Sequence, residues 1–429
     1  MHPLLSPLYS AVAGTAAALA DLPVGGEAKA WRAIRARAGA LERFERWGRE
    51  GRDPVRPLLW MHAPSVGEGL QARPVLALLR ERRPALQVVY TYFSPSAERF
   101  AASLGVDFAD YLPFDTTSAA QRLCSALEPS ALVFAKLDLW PRLAETAAAR
   151  AIPLGMISAT LSEGSGRGGA LAKALLGDAY SALDRVGAID ASDAERLVGL
   201  GVRPDRIRVT GDTRYDQVAE RANATDRASA LLAPLASARP TLVVGSTWPA
   251  DEAALLPAWV ELRKALPDAR LIIAPHEPTV AHLTPVEQWA RTTGLSCARL
   301  ADANATHDVV LVDRVGVLGE LYALADAAFV GGGFHSAGLH SVLEPAAFGA
   351  PVIFGPRHTN SRDAGLLIAA RGGESVADAG QLARALRIVL TEPDTRARAG
   401  AAASRVVQSG LGAAERSASL VEELFELRK

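Results

Sequence analysis

Cysteine is nearly absent: Cys124 and Cys297 are the only two in 429 residues, and neither sits in a C-x-x-C or Cys/His spacing. A disulfide framework and a cysteine-based zinc site are therefore excluded, and a reducing compartment fits. A surplus of charge of either sign is missing too, with 46 Lys and Arg against 47 Asp and Glu. A dedicated nucleic-acid binder would carry a broad excess of Lys and Arg, so no nucleic-acid partner is expected. The first twenty residues, MHPLLSPLYSAVAGTAAALA, hold no Asp, Glu, Lys or Arg. They lack the basic start of a signal peptide, are broken by Pro3 and Pro7, and are barely long and apolar enough to span a bilayer; the expectation is a shallow anchor. Familiar catalytic signatures are also lacking. There is no G-x-x-x-x-G-K-[ST], Ser336 stands where a G-x-G-x-x-G begun at Gly331 needs its third glycine, and neither a Ser-His-Asp elbow nor paired metal carboxylates occur. P-loop ATPases and nicotinamide oxidoreductases are thereby disfavoured.

What is present is a folded α/β pattern. With 49% hydrophobic and 22% charged residues the chain is globular, and its length calls for two or three domains. Short apolar runs at 57–63, 86–93, 131–137, 152–158 and 206–211, then 241–246, 269–275, 308–313, 327–332 and 350–355, alternate with helical stretches. Strands this apolar imply parallel sheets covered on both faces, hence two doubly wound, Rossmann-like domains facing across a cleft. The expected boundaries are 1–56 for an N-terminal hydrophobic segment and basic helix, 57–218 and 219–412 for the two domains, and 413–429 for a closing helix that can pack back on the first. From Glu27 to Arg56 there are nine Lys and Arg against five Asp and Glu, while Trp31, Ile34, Ala38, Leu41 and Phe44 recur at helical steps. That helix suits anionic lipid headgroups, or equally packs its apolar stripe on its own domain.

Ligands of such sheets bind beyond the carboxyl ends of the strands, so chemistry is sought in the strand-to-helix turns. In WMHAPSVGEG, Ser65 and Glu68 have the S-x-x-E spacing of a capping box, with the hydroxyl taking the Glu68 N–H and the carboxylate reaching back to the Ser65 N–H. Glu68 can also be a proton acceptor, with Gly67 leaving room beside it. KLDLWPR brings Lys136, Asp138 and Arg142 around Trp140, either as a site or as solvated charges at a strand end.

In the second half, VGGGFHSAGLHSVLEPAAFG carries Gly331, Gly332 and Gly333 at a strand end, where backbone N–H groups can approach a phosphate. A helix expected to start near His340 and Ser341 points its positive end at the same place, and Glu344 can accept from a ribose diol. The alternative is that the glycines only turn the chain. GSTWPADE puts Gly245, Ser246 and Thr247 at another strand end, as phosphate donors or N-caps. His276 and Arg357 follow two further strands, and together these groups outline a polyanion pocket.

These motifs resemble those of the 3-deoxy-D-manno-octulosonate (Kdo) transferase family over most of the chain. WMHAPSVGEG is similar to that family's W-x-H-x-x-S-x-G-E, LDLWP to its acidic-x-Trp-Pro element, VTGDTRYD to V-T-G-N-x-K-[FY]-D, and VGSTWPADE to G-S-T-x-x-x-E. The long segment from Phe329 to Ala364 resembles its ordered F-V-G-G…H-N-x-L-E-P-A…F-G-P pattern. Departures are Lys136 and Leu137 for Glu-Thr, Ser158, Ala159 and Thr160 for N-A-R, APHEPT for P-R-H-P, and Ser341 for Asn. The resemblance implies an inverting glycosyltransferase of the GT-B fold, moving Kdo from CMP-Kdo to a lipid A precursor at the cytoplasmic face of the bacterial inner membrane, with no metal. It implies Glu68 as general base, with Asp138 also catalytic, and Ser65, Gly67, His62, Lys136 and Arg142 around the acceptor. Gly245, Ser246, Thr247, His276, Gly331, Gly332, Gly333, His340, Ser341, Glu344 and Arg357 would bind the nucleotide. A GT-B enzyme of other nucleotide-sugar specificity, such as a UDP-sugar transferase or epimerase, and a catalytically silent binding homologue are the alternatives.

Overall fold

The computed structural model describes residues 1–2, 4–20, 29–161, 165–336 and 338–427. The chain divides into two units, Met1–Gln217 with Leu411–Lys429, and Val218–Gly410. Residues 1–56 and the closing helix thus lie in the same unit as residues 57–217.

The first unit holds strands β1 (Leu58–His62), β2 (Gln87–Tyr92), β3 (Phe108–Tyr111), β4 (Ala131–Ala135), β5 (Leu154–Ala159), β6 (Arg185–Ala188) and β7 (Ile207–Val209). They form one sheet in the order β3-β2-β1-β4-β5-β6-β7, parallel throughout. Strands β1, β2, β4 and β5 are buried at every position, as a sheet with helices on both faces requires. Successive side chains alternate between two cores: Leu58, Trp60, Leu132 and Phe134 enter one, Leu59, Met61, Val133 and Ile157 the other. The closing helix Ala413–Glu426 fills the second face with Ala414, Ala418, Val421 and Leu424.

The basic stretch after residue 28 departs from one continuous lipid-facing helix; Glu27 itself lies outside the described residues. Gly39, at φ +67°, separates the helices Lys29–Arg35 and Ala40–Glu50. Phe44 is fully buried and packs edge-on against Phe108 at 5.1 Å, with Leu41 and Trp47 on the same core. The apolar stripe of the second helix is therefore spent on its own unit. Upstream, Ser6–Ala20 is a separate helix, and no helix among the described residues is long and apolar enough to cross a membrane.

The second unit repeats the architecture with β8 (Thr241–Thr247), β9 (Arg270–Pro275), β10 (Cys297–Arg299), β11 (Val309–Leu311), β12 (Ala327–Val330), β13 (Val352–Phe354) and β14 (Gly373–Ser375). The order is β10-β11-β9-β8-β12-β13-β14, again all parallel. Chain direction across each sheet reverses once, between β1 and β4 in the first unit and between β8 and β12 in the second. Loops diverge at such a point and leave a crevice at the carboxyl ends of the two strands.

Candidate active site

The residues after β1 and β4 meet at the first switch point. Ser65 caps the helix Val66–Arg82, accepting from the Gly67 N–H at 3.2 Å, and its hydroxyl donates to Glu68 Oε2. This departs from the expected reciprocal box, because the hydroxyl takes the Gly67 N–H and the carboxylate takes the hydroxyl rather than a backbone N–H. The other carboxylate oxygen lies 3.4 Å from Lys136 Nζ. Glu68 is consequently held from two sides in the first turn of a helix, with its side chain 20% exposed. A Cβ at Gly67 would meet only Ser65 Oγ, at 3.7 Å, so packing does not require glycine there; it leaves bare backbone beside the carboxylate. Lys136 itself sits at φ +57°, a left-handed conformation that costs a non-glycine residue about 1 kcal/mol or more.

His62 and Asp138 form a second pair. His62 is fully buried, with Nδ1 2.9 Å from Thr91 Oγ1 and Nε2 3.0 Å from Asp138 Oδ2. Thr91 Oγ1 already accepts the Trp60 indole N–H at 3.0 Å, so its own proton is available to Nδ1 and the Nε2 proton to Asp138. Asp138 also accepts from Trp140 Nε1 at 3.0 Å. Burial opposes its ionisation, but the bonds from His62 and Trp140 and the charge of Arg167 outweigh it and hold the carboxyl below its usual range. His62 therefore positions Asp138 from the interior and does not reach an acceptor, contrary to the expectation. Arg142 is likewise reassigned. Its guanidinium bonds the Ser6 carbonyl at 3.0 Å, Ser10 Oγ at 2.9 Å and Glu145 at 3.1 Å, tying the helix Ser6–Ala20 to the unit.

At the second switch point the turns after β8 and β12 are packed backbone on backbone. Gly331 N–H donates to Gly245 O at 2.8 Å, and His276 N–H to Thr247 O at 2.9 Å. Gly332, at φ +90°, lies too close to Gly338 O to carry a Cβ. The expected glycine cradle is largely filled from within: Asp251, fully buried, takes the N–H groups of Gly332 at 2.7 Å, Phe334 at 3.0 Å and Trp248 at 2.9 Å. Of the three glycines only Gly333 keeps an N–H without a protein partner among the described residues. Thr247 is also committed, its hydroxyl donating to Glu252 at 2.8 Å, and Trp248 rather than Ser246 or Thr247 is the N-cap. Ser246, near the end of β8, also stands in the left-handed region, at φ +57°.

The helix expected at His340 and Ser341 begins only at Leu343 and lasts five residues, so it supplies little dipole; Ser341 is exposed in the loop before it. Glu344, in its first turn, is pushed above the usual carboxylate range by burial, with Arg221 opposing. Arg357 is exposed, its N–H bonded to Gly333 O at 2.9 Å.

What the turns do assemble is a cluster of stacked rings. Trp248 stacks on His335 at 4.5 Å and on His276 at 4.7 Å, and His276 stacks on His340 at 4.5 Å. Trp248 Nε1 donates to His340 Nε2 at 3.2 Å. Burial, then the charge of His276 and that of His335, hold His340 below the ordinary imidazole value, with Asp251 working against them. The sequence reading picked out His276 and His340 but missed Trp248, His335 and Asp251. Their signal was an indole and an imidazole inside two marked turns, and an Asp in a first helical turn.

Two all-parallel, doubly wound units with polar groups gathered at each switch point define a protein of the GT-B fold. The UDP-GlcNAc 2-epimerase of Neisseria meningitidis superposes over 83% of this chain and 99% of its own with a TM-score of 0.61 at 15% identity, and that of Methanocaldococcus jannaschii over 82% and 99% with a TM-score of 0.56 at 14% identity. The family model for 3-deoxy-D-manno-octulosonic-acid transferase matches residues 37–217. The 3-deoxy-D-manno-octulosonic acid transferase of Bordetella pertussis is 30% identical over 411 residues, 92% of this chain and 94% of that protein. That of Haemophilus influenzae is 29% identical over 406 residues, covering 91% and 92%. The chain belongs to the Kdo transferase family and is a glycosyltransferase.

Proposed function

We propose that this chain transfers Kdo from CMP-Kdo to a hydroxyl of a lipid A precursor, with inversion at the anomeric carbon and without a metal ion. Glu68 accepts the proton of the acceptor hydroxyl as its oxygen attacks, and the bond to the CMP phosphate breaks with its electron pair leaving on the phosphate. The observation that carries this reading is the placement of Glu68: a carboxylate on a rigid first turn, held by Ser65 and Lys136 at 3.4 Å, beside the bare backbone of Gly67 at the switch point. A sugar hydroxyl is too weak an acid to attack unaided, and a positioned base contributes roughly 10²- to 10⁴-fold. Asp138 acts beside it, oriented by His62 and Trp140.

The reading places the protein at the cytoplasmic face of the inner membrane, where such an acceptor lies. It is supported by Leu4, Leu8 and Val12, which are 82%, 65% and 64% exposed at four-residue steps along the N-terminal helix. Burying them in a bilayer surface is worth about 4 kcal/mol, enough for reversible docking and far short of an anchor. The test is Kdo transfer by the full chain from CMP-Kdo generated in situ to lipid A precursor on vesicles. A Kdo-extended product supports the reading; no product with CMP-Kdo but turnover of a UDP-sugar overturns it.

A further inference from the structure

The ring cluster at the second switch point gathers three imidazoles around one indole. His276 and His335 both stack on the Trp248 indole, at 4.7 and 4.5 Å with interplanar angles of 30° and 11°. An indole face attracts a cation, and both imidazoles lie within reach of this one. Two positive charges against one ring would repel each other, so the clamp has room for a single added charge. The indole is fixed in this role by its N–H bond to His340 Nε2 at 3.2 Å, which makes His340 the acceptor and leaves its own proton on Nδ1.

Neighbouring ionisable groups are engaged by other partners. Asp251 is turned inward onto three N–H groups, Glu252 accepts from Thr247, and His282 gives its Nδ1 proton to the Glu277 carbonyl at 2.7 Å. On the far side, Arg357 is anchored through its backbone to Gly333 and is exposed. With the Gly331 N–H bonded to Gly245 O and the Gly332 N–H to Asp251, an incoming phosphate meets imidazoles where the sequence pattern led one to expect a backbone cradle.

We propose that Trp248, His276 and His335 form a chargeable clamp for the nucleotide's phosphate, and that CMP binding draws about one proton from solvent onto the two imidazoles that face the indole. This inference rests on the assignment of the second unit as the nucleotide-binding one. The chemistry suits the reaction. In a CMP-sugar the phosphate is a diester with one negative charge, whereas the CMP released is a monoester with up to two, so a clamp that takes up a proton stabilises the leaving group as the bond breaks.

The test is calorimetric titration of the full chain with CMP and, separately, with cytidine, near pH 8 in two buffers of different ionisation enthalpy. At that pH both a free imidazole and the CMP phosphate are largely deprotonated. The expected result is uptake of about one proton with CMP and none with cytidine, with uptake falling to near zero and CMP affinity by roughly tenfold or more in a His276→Gln/His335→Gln variant whose thermal unfolding matches the parent. A conservative Trp248→Phe change, which keeps an aromatic ring against the imidazoles, should retain part of the uptake. CMP binding with no proton uptake, or unchanged uptake in the double variant, overturns the clamp. Absence of CMP binding in the parent overturns the nucleotide assignment itself.

Discussion

Replacing Asp251 by Asn is the sharpest probe of how the second switch point is built. The carboxylate is fully buried and accepts three backbone N–H bonds, from Trp248 and Gly332 on Oδ2 and from Phe334 on Oδ1, at 2.7 to 3.0 Å. It thereby ties the turn after β8 to the turn after β12. A carboxamide has one acceptor oxygen, so its NH₂ must face the Phe334 N–H or the other two. A buried donor left unsatisfied costs about 1–3 kcal/mol, and weakening of the remaining charge-assisted bonds adds to this. The expected destabilisation is about 3 kcal/mol for Asp251→Asn and about 5 kcal/mol for Asp251→Ala, which strands all three N–H groups. The two units need not unfold together, so the assay is urea unfolding followed by peptide-resolved hydrogen exchange. Protection at Gly332 and Phe334 should collapse, and the transition of the second unit should move while that of the first stays in place. A shift within about 0.5 kcal/mol, the range of an ordinary surface change, would show that the turns do not depend on this carboxylate.

His340, held below the ordinary imidazole value of 6.5, binds its proton more readily when unfolded. Its contribution to stability is thus fully present above about pH 6.5 and is lost as pH falls through the lowered folded value. His340→Gln, which keeps an acceptor for the Trp248 N–H, should flatten the fall in the urea midpoint of the second unit between pH 7 and pH 5; an unchanged slope would assign that fall to other groups. Arg142→Ala removes the bonds to Ser6 and Ser10 but leaves Tyr9 bonded to Asp115 at 2.7 Å. Chymotrypsin cleavage within the first twenty residues should quicken roughly tenfold, about 1.4 kcal/mol, with CMP binding intact, and an unchanged rate would mean that the guanidinium does not hold the helix.

Nearly all the strands legible in the sequence are buried on both faces; the exception is β7, an edge strand that is partly exposed. Each apolar run from Leu58 through Phe354 that stood out by composition corresponds to an observed strand. Four strands gave no such signal: β3, β10 and β14 lie at sheet edges and β6 lies one place in, and all are only three or four residues long. The sequence GES of β14 and CAR of β10 are partly exposed, so no continuous apolar run was needed to bury them. At the site, Glu68 with Ser65 could be read from a four-residue spacing because both stand on one helical turn. Asp251 could not, since its partners Gly332 and Phe334 lie about eighty residues away and are joined to it only by the pairing of β8 with β12. Arg142 was misread for the same reason. Its sequence neighbours Asp138 and Trp140 suggested a site, whereas its guanidinium is claimed by Ser6 and Ser10 from the other end of the unit.

The central claim is that Glu68 is the base of a Kdo transfer. It is tested most directly by comparing the parent with Glu68→Ala in transfer from CMP-Kdo to lipid A precursor, with CMP affinity measured on the same preparations. Loss of the base should lower turnover by about 10²- to 10⁴-fold, a barrier increase of roughly 3 to 5 kcal/mol, while removal of a purely capping contact would cost about 1 kcal/mol of stability. The prediction is transfer lost with fold and CMP affinity retained; transfer at the parent's rate in Glu68→Ala would contradict it.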